Sequence, residues 1–232
     1  MKNRAFTLVE MAIVLVIVGL LLGGMLAPLR AQMEQRRAAD TNKALDEARD
    51  ALAGFAARNG YLPCPAISAS NGLEDRAGTR CANERRLGFL PWATLGLQKL
   101  DAWQHIYLYS VTPAFSDSGA FFRLDTPRDI TIASRDAAGA LVPASAQNDI
   151  PAVVLSLGGN GFGAFSDAGV QAADAGQGNV DEKANFQGDG RLFIARGQAD
   201  NPAAPGGAYD DIVVWLSPNI LFNRMLAAQR LP

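Results

Sequence analysis

Histidine occurs once in this sequence, at His105, and cysteine twice, at Cys64 and Cys81. Three such residues cannot supply the four thiolate and imidazole ligands of a structural zinc site. Charge of one sign is equally scarce. The 21 basic residues face 23 acidic ones, a net charge of −2, so no global field recruits nucleic acid. Arg76, Arg80, Arg85 and Arg86 do cluster, but Glu74, Asp75 and Glu84 interleave with them. With 23 glycines and 12 prolines in 232 residues, the chain falls short of a low-complexity composition.

Enzyme signatures lack their parts. "GNGFGA" at 159–164 matches G-x-G-x-x-A after an expected strand. A dinucleotide site needs a helix directly after that loop to hold the pyrophosphate, and Phe165-Ser166-Asp167-Ala168-Gly169 reads as a turn. His105 has Asp101 nearby, but no motif ties a serine or cysteine to them, so no catalytic residue is assigned.

What the chain does have is one long apolar run. Met11–Leu29 is nineteen consecutive uncharged residues, roughly 28 Å of helix at 1.5 Å per residue, close to the hydrocarbon thickness of a bilayer. A cleaved secretory signal has a shorter apolar region and ends at a small-x-small site; here Pro28-Leu29-Arg30 follows. Lys2 and Arg4 on one side face Arg30, Arg36 and Arg37 on the other, so flanking charge sets no orientation. Glu10 stands immediately before this run, just inside the edge of the wider segment Arg4–Arg30. A carboxylate in hydrocarbon costs at least about 2.5 kcal/mol unless it is paired. Either Glu10 has an assembly partner, or it lies at headgroup level in an ordinary anchor.

The helix is expected to continue to Arg58, because residues 32–60 are rich in Ala, Glu, Gln and Arg. Leu45, Ala48, Leu52 and Phe55 form an apolar stripe at spacings of three and four, and Gly60 with Pro63 marks the stop. Pro28 with Gly19, Gly23 and Gly24 marks a place to kink, or merely membrane-helix composition. After an irregular stretch over 61–100, runs at 103–112, 120–125, 129–134, 152–157, 191–196 and 211–216 read as strands. Ser217 and Pro218 open a closing helix. The expected class is α+β, a sheet laid over the helix stripe.

"MKNRA" followed by "FTLVEMAIVLVIVGLLLGGML" resembles the leader and helix start of the type IV pilins and of the pseudopilins of type II secretion. The resemblance is tight over residues 1 to about 30. It implies a type IV pilin-like fold, a long membrane-spanning N-terminal helix packed on an antiparallel β-sheet head. The organisation would be a prepilin leader at 1–5, a transmembrane and assembly segment at 6–30, an amphipathic segment at 31–60 and a head at 61–232. A prepilin peptidase would cut between Ala5 and Phe6, where the family usually has glycine before the cut, and Phe6 would become the methylated N-terminus. Glu10 would pair with that amine on a neighbouring subunit. Partners would be the peptidase, other pilin or pseudopilin subunits and the bacterial inner membrane, with a single pass and a periplasmic head. The role implied is a structural filament subunit, of a pilus or a secretion pseudopilus. The alternative is a minor pilin displayed for binding, adhesion or DNA uptake.

A head outside the cytoplasm would favour a Cys64–Cys81 disulfide, closing a loop worth about 3 kcal/mol. Two buried thiols and a redox pair are the alternatives, the latter disfavoured by the spacing of 17 positions. More loosely, "DAWQHIYLYSV" (101–111), "SLGGNGFGAFSD" (156–167) and "YDDIVVW" (209–215) are similar to segments of the major pseudopilin. Residues 168–208 have no place in that pattern. The likeness implies calcium, with Asp210 and Asp211 as positional matches. The acidic region around them includes Asp167, Asp174, Asp181, Glu182 and Asp189. Asp167 is taken as the third ligand, although the spacing is not that of an EF-hand loop. A solvated, charged loop is the other reading.

Overall fold

The computed structural model describes residues 8–173 and 178–231, with the backbone alone at 21–27. The chain divides into two compact units, Met1–Ala39 and Asp40–Pro232. Helix α1 (Leu8–Asn59) contributes to both. In the first unit its described side chains from Leu8 to Leu20 are all exposed, Leu8 by 87% and Leu20 by 73%. Pro28 lies inside the helix, which is assigned without a break. Among the described residues no helix is long and apolar enough to cross a membrane. The expected spanning stretch 6–30 falls partly outside them, at 6–7 and at the side chains of 21–27. Ala5 and Phe6 lie outside them as well.

In the second unit α1 behaves as its stripe predicts. Leu45, Ala48, Leu52 and Phe55 are buried, and the helix ends where Gly60 turns to φ +86° and donates its N–H to the Ala56 carbonyl. Arg230 donates to the Ala57 and Arg58 carbonyls, which the helix itself leaves unsatisfied.

The sheet on this helix has four strands in the order β3 (Leu87–Phe89), β4 (Leu108–Val111), β7 (Ala152–Ser156) and β9 (Ile212–Leu216), antiparallel throughout. Alternation along the strands assigns the two faces. Tyr109, Val111, Ala152, Val154 and Leu216 pack with Leu45, Leu52 and Ala56 of α1 and with Leu221 and Met225 of helix α5 (Pro218–Ala227). Leu108, Val153 and Leu155 point the other way, toward Ile132 and Phe193. Those two belong to a second sheet of three strands: β6 (Leu141–Pro143), β5 (Thr131–Arg135) and β8 (Leu192–Ile194). Here the expected antiparallel pattern holds only for β5 with β6, because β5 and β8 run parallel. The 56 residues between β5 and β8 carry the chain through β7 and helix α4 (Val180–Gln187), which gives room for a crossover; the short helices α2 (Trp92–Leu95) and α3 (Pro113–Ser116) lie earlier in the chain.

Two expected strands changed form. Residues 120–125 make no strand. Phe122 stacks on Phe115 at 4.6 Å while Phe121 stays open, and Pro127 with the Arg123–Thr126 turn ends the segment. Within 103–112 only Leu108–Val111 is strand, since Asp101 Oδ1 accepts the N–H groups of Trp103 and His105 and bends the chain there.

Cys64 and Cys81 form a disulfide with their Cα atoms 5.3 Å apart. The loop it closes is tied to the core by Glu74, which accepts from the backbone N–H of Cys64 at 3.0 Å and from Arg76 at 2.9 and 3.1 Å. Within that loop lies the short hairpin of β1 (Arg76–Ala77) and β2 (Arg80–Cys81).

Candidate functional site

Strands β7 and β9 pair with Ser156 opposite Ile212, so the loop after β7 and the residues before β9 share one end of the sheet. Gly158 sits in that loop at φ +62°. A Cβ there would lie 2.1 Å from Asp210 Oδ1, so only glycine lets the loop approach this closely. Helix α4 meets the same end. Its Asn185 exchanges two hydrogen bonds with the backbone of Ile194 on β8 and donates to Asp211 Oδ2 at 2.8 Å.

Three carboxylates converge here. Glu182, Asp210 and Asp211 each offer an oxygen, all within 4.8 Å of one another. Glu182 is fully buried and Asp211 is 6% exposed. Asparagines hold the group in place. Glu182 Oε1 accepts from Asn160 Nδ2 at 2.7 Å and from the Asp210 N–H at 2.9 Å, and Oε2 accepts from Asn179 at 2.6 Å. Asp210 Oδ2 accepts the Asn160 N–H at 2.7 Å. That leaves Asp210 Oδ1 and Asp211 Oδ1, both buried and both without a hydrogen-bond donor.

Electrostatics follow from this crowding. Burial pushes the Asp210 carboxyl up to about 6, against the Asn160 N–H, with the charge of Glu182 adding to the rise. Burial drives Asp211 well above the usual carboxylate range, opposed by the Asn185 hydrogen bond and reinforced by Glu182 and Asp210. Asp181 next door has basic partners. It takes two hydrogen bonds from Arg135 at 2.7 Å each, and Arg196 Nε lies 2.7 Å from its Oδ2 at an angle that makes an ion contact rather than a hydrogen bond.

Two of the three residues assigned to calcium thus come together and the third does not. Asp167 is exposed and ion-paired with Lys99, outside the carboxylate group, and Asp174 lies outside the described residues. Glu182 takes the third place. Reading 168–208 as loop hid it, because α4 buries Asp181, Glu182 and Asn185 rather than apolar residues. A helical period in polar residues between Gly178 and Gly188 was the available signal. The donor set fits a hard divalent cation: all oxygen, two oxygens with no donor, and the rest oriented by amides.

The lone histidine stands elsewhere in the loop's packing, its Nδ1 3.1 Å from the Gly158 carbonyl. Buried Ser156 donates to Asp101 Oδ2 at 2.6 Å, not to His105, so this trio forms a packed corner of the sheet rather than a nucleophile and its base.

At the other end of the chain, Glu10 lies in the first turn of α1. A family model described as the prokaryotic N-terminal methylation motif matches residues 1–26. The chain therefore carries a prepilin-type methylation motif, consistent with a type IV pilin-like family. No curated protein and no solved structure matches the chain significantly.

Proposed function

We propose that the protein is a pilin-like subunit, anchored in the inner membrane by residues 6–30, cut after Ala5 and polymerised through helix α1 into a filament of the pilus or secretion type. The observation that carries this reading is the methylation motif placed on a helix whose side chains at 8–20 are all exposed. Thirteen exposed positions, nearly all of them apolar, are a surface for lipid before assembly and for neighbouring helices after it. In the head, α1 buries Leu45, Leu52 and Ala56 against its own sheet.

Glu10 is the assembly residue in this scheme. Cleavage after Ala5 leaves the Phe6 amine, and a neighbour's amine neutralises the Glu10 carboxylate in a low-dielectric setting. Replacing Glu10 by Leu removes a charge from hydrocarbon, so insertion proceeds at least as well as before. The expected loss is in filaments: an amine left unpaired at a cost of about 2.5 kcal/mol lowers incorporation roughly 60-fold. The measurement is the ratio of sheared filament protein to processed membrane protein, at matched expression. Equal ratios for Glu10→Leu and the parent would refute the assembly role. N-terminal sequencing and intact mass should find methylated Phe6, and an uncleaved chain as the main membrane species would overturn the pilin reading itself.

A further inference from the structure

Arg80, Arg85 and Arg86, which the sequence interleaves with acids, come together in the fold. With Arg191, just before β8, they line one cavity of about 390 Å³ whose wall also includes β2 and helix α3, a size at the lower end of small-molecule sites. Two of the four are engaged. Arg80 pairs with Asp117 at 3.1 Å, and Arg86 donates two hydrogen bonds to Asp129 at 2.6 and 2.7 Å. Arg191 is held loosely, 3.8 Å from both Asp129 and Asp189. Among the described residues no side-chain hydrogen bond or ion pair holds Arg85, and its Nε is buried without an acceptor. A half-buried cation left like this has lost water and gained nothing in return. The backbone leading to it is strained. Asn83 and Glu84 are consecutive left-handed residues at φ +54° and +52°, a conformation that costs a non-glycine residue about 1–3 kcal/mol and collects at ligand sites. The segment is fixed at both ends, by the disulfide at Cys81 and by the Arg86–Asp129 pair.

We propose that this cavity binds the phosphate group of a small molecule, with Arg85 and Arg191 as its principal donors and Arg80 beside them. On the wall, four guanidinium groups face two carboxylates, Glu84 and Asp117, an excess of two positive charges. The Arg86–Asp129 pair screens part of that excess. A phosphate monoester carries about −1.5 to −2 at neutral pH, so it matches the wall better than a single carboxylate does. The planar fork of each guanidinium offers two parallel N–H donors to phosphate oxygens. The acids on the wall break the continuous basic track that a nucleic-acid backbone requires, so the ligand is a compact anion. Glu84 is exposed and has no partner among the described residues, which makes it the one free group opposing an anion there. The inference concerns the head alone and stands whether or not the chain enters a filament.

The test uses the full-length chain in an uncharged detergent and phosphate-free buffer, titrated with glycerol 3-phosphate. Sodium chloride and sodium acetate at matched ionic strength are the references. Titration calorimetry and thermal unfolding are read together. The expected result is saturable binding, with a rise in Tm of several degrees at about a hundredfold excess over Kd, and neither effect with the reference salts. Arg85→Gln should raise Kd at least about tenfold. Glu84→Gln removes the opposing charge and should lower Kd about threefold, a gain that a damaged fold does not produce. Arg224→Gln, outside the cavity, should leave Kd unchanged. Absence of saturable binding up to about 10 mM overturns the site, as does a response equalled by sodium chloride or acetate. An unchanged Kd in Arg85→Gln overturns it also. Should Arg85→Gln fail to fold, Glu84→Gln decides, and a Kd equal to or weaker than the parent's overturns the site.

Discussion

Between Leu8 and Leu20 helix α1 is apolar at nearly every position, and those side chains lie open; between Leu45 and Ala56 a third of the residues are charged, and Leu45, Leu52 and Phe55 are covered. The contrast shows that the arrangement of apolar residues, more than their number, decides where a helix is buried. A stripe on one face can be satisfied by one sheet, so the second stretch folds into its own domain. An apolar surface all round cannot be satisfied by a single neighbour, so the first stretch is left for an outside partner. In the proposed filament that partner is lipid and then other copies of α1.

The sharpest way to break this comparison is to truncate one leucine on each side. Leu52→Ala removes a side chain from the core beneath β4 and β7, and should cost about 2–5 kcal/mol of head stability. Leu15→Ala, made on a side chain 67% exposed, should leave head unfolding within about 0.5 kcal/mol of the parent. Denaturant unfolding of the full chain in detergent, followed by tryptophan fluorescence, checks both. Comparable losses would mean that the two stretches are not independent.

Next in size is the disulfide. Cys64→Ser with Cys81→Ser should lower head stability by about 3 kcal/mol, through the freedom returned to the unfolded loop. Reducing agent should produce the same fall in Tm in the parent and none in the double variant. Insertion and cleavage of the N-terminal segment should not change.

A smaller effect separates the head from the helix by pH. Burial pushes the Asp129 carboxyl up, but hydrogen bonds from Arg86 and Thr112, with the Arg86 charge, outweigh it and hold the group below its ordinary 3.8. A depressed carboxylate contributes stability that is present above 3.8 and is lost as pH falls through the folded value. Tm should therefore fall below pH 4 in the parent, and Asp129→Asn should lose part of that dependence, with a deficit of about 1 kcal/mol or less at neutral pH. A parallel acid profile in the variant would assign the dependence to other groups. The smallest expected effect is at Lys43, 79% exposed at its side chain and 3.8 Å from Glu47 on the solvent face of α1. Lys43→Ala should change head stability by no more than about 0.5 kcal/mol.

Legibility in the sequence followed the same division. Periodic signals were readable: the α1 stripe, the stop at Gly60, strands β4, β5, β7, β8 and β9 within their runs, and α5 behind Ser217 and Pro218. The parts that went unread have little apolar period. Strand β6 is three residues ending at Pro143, β1 and β2 are two each, and β3 is short and half exposed. Helix α4 announces itself only through polar residues, which in isolation look like a solvated loop. At the candidate site, Asp210 and Asp211 were legible as neighbours, while Glu182 was one acid among several in a region that matched no pattern.

By itself the sequence determined the character of each segment: an apolar run led by a methylation motif, an amphipathic continuation, alternating strands and a capped final helix. These depend on spacings of two to four residues, which local geometry imposes on any chain. Which pairs meet across long separations was decided only in the tertiary structure. The joining of Cys64 to Cys81, the parallel match of β5 with β8, and the meeting of Glu182 with Asp210 and Asp211 rest on packing between residues 17 to 61 positions apart. Nothing in a local window carries that information, because contacts at such distances are set by how faces bury one another and which polar groups are then left to be satisfied.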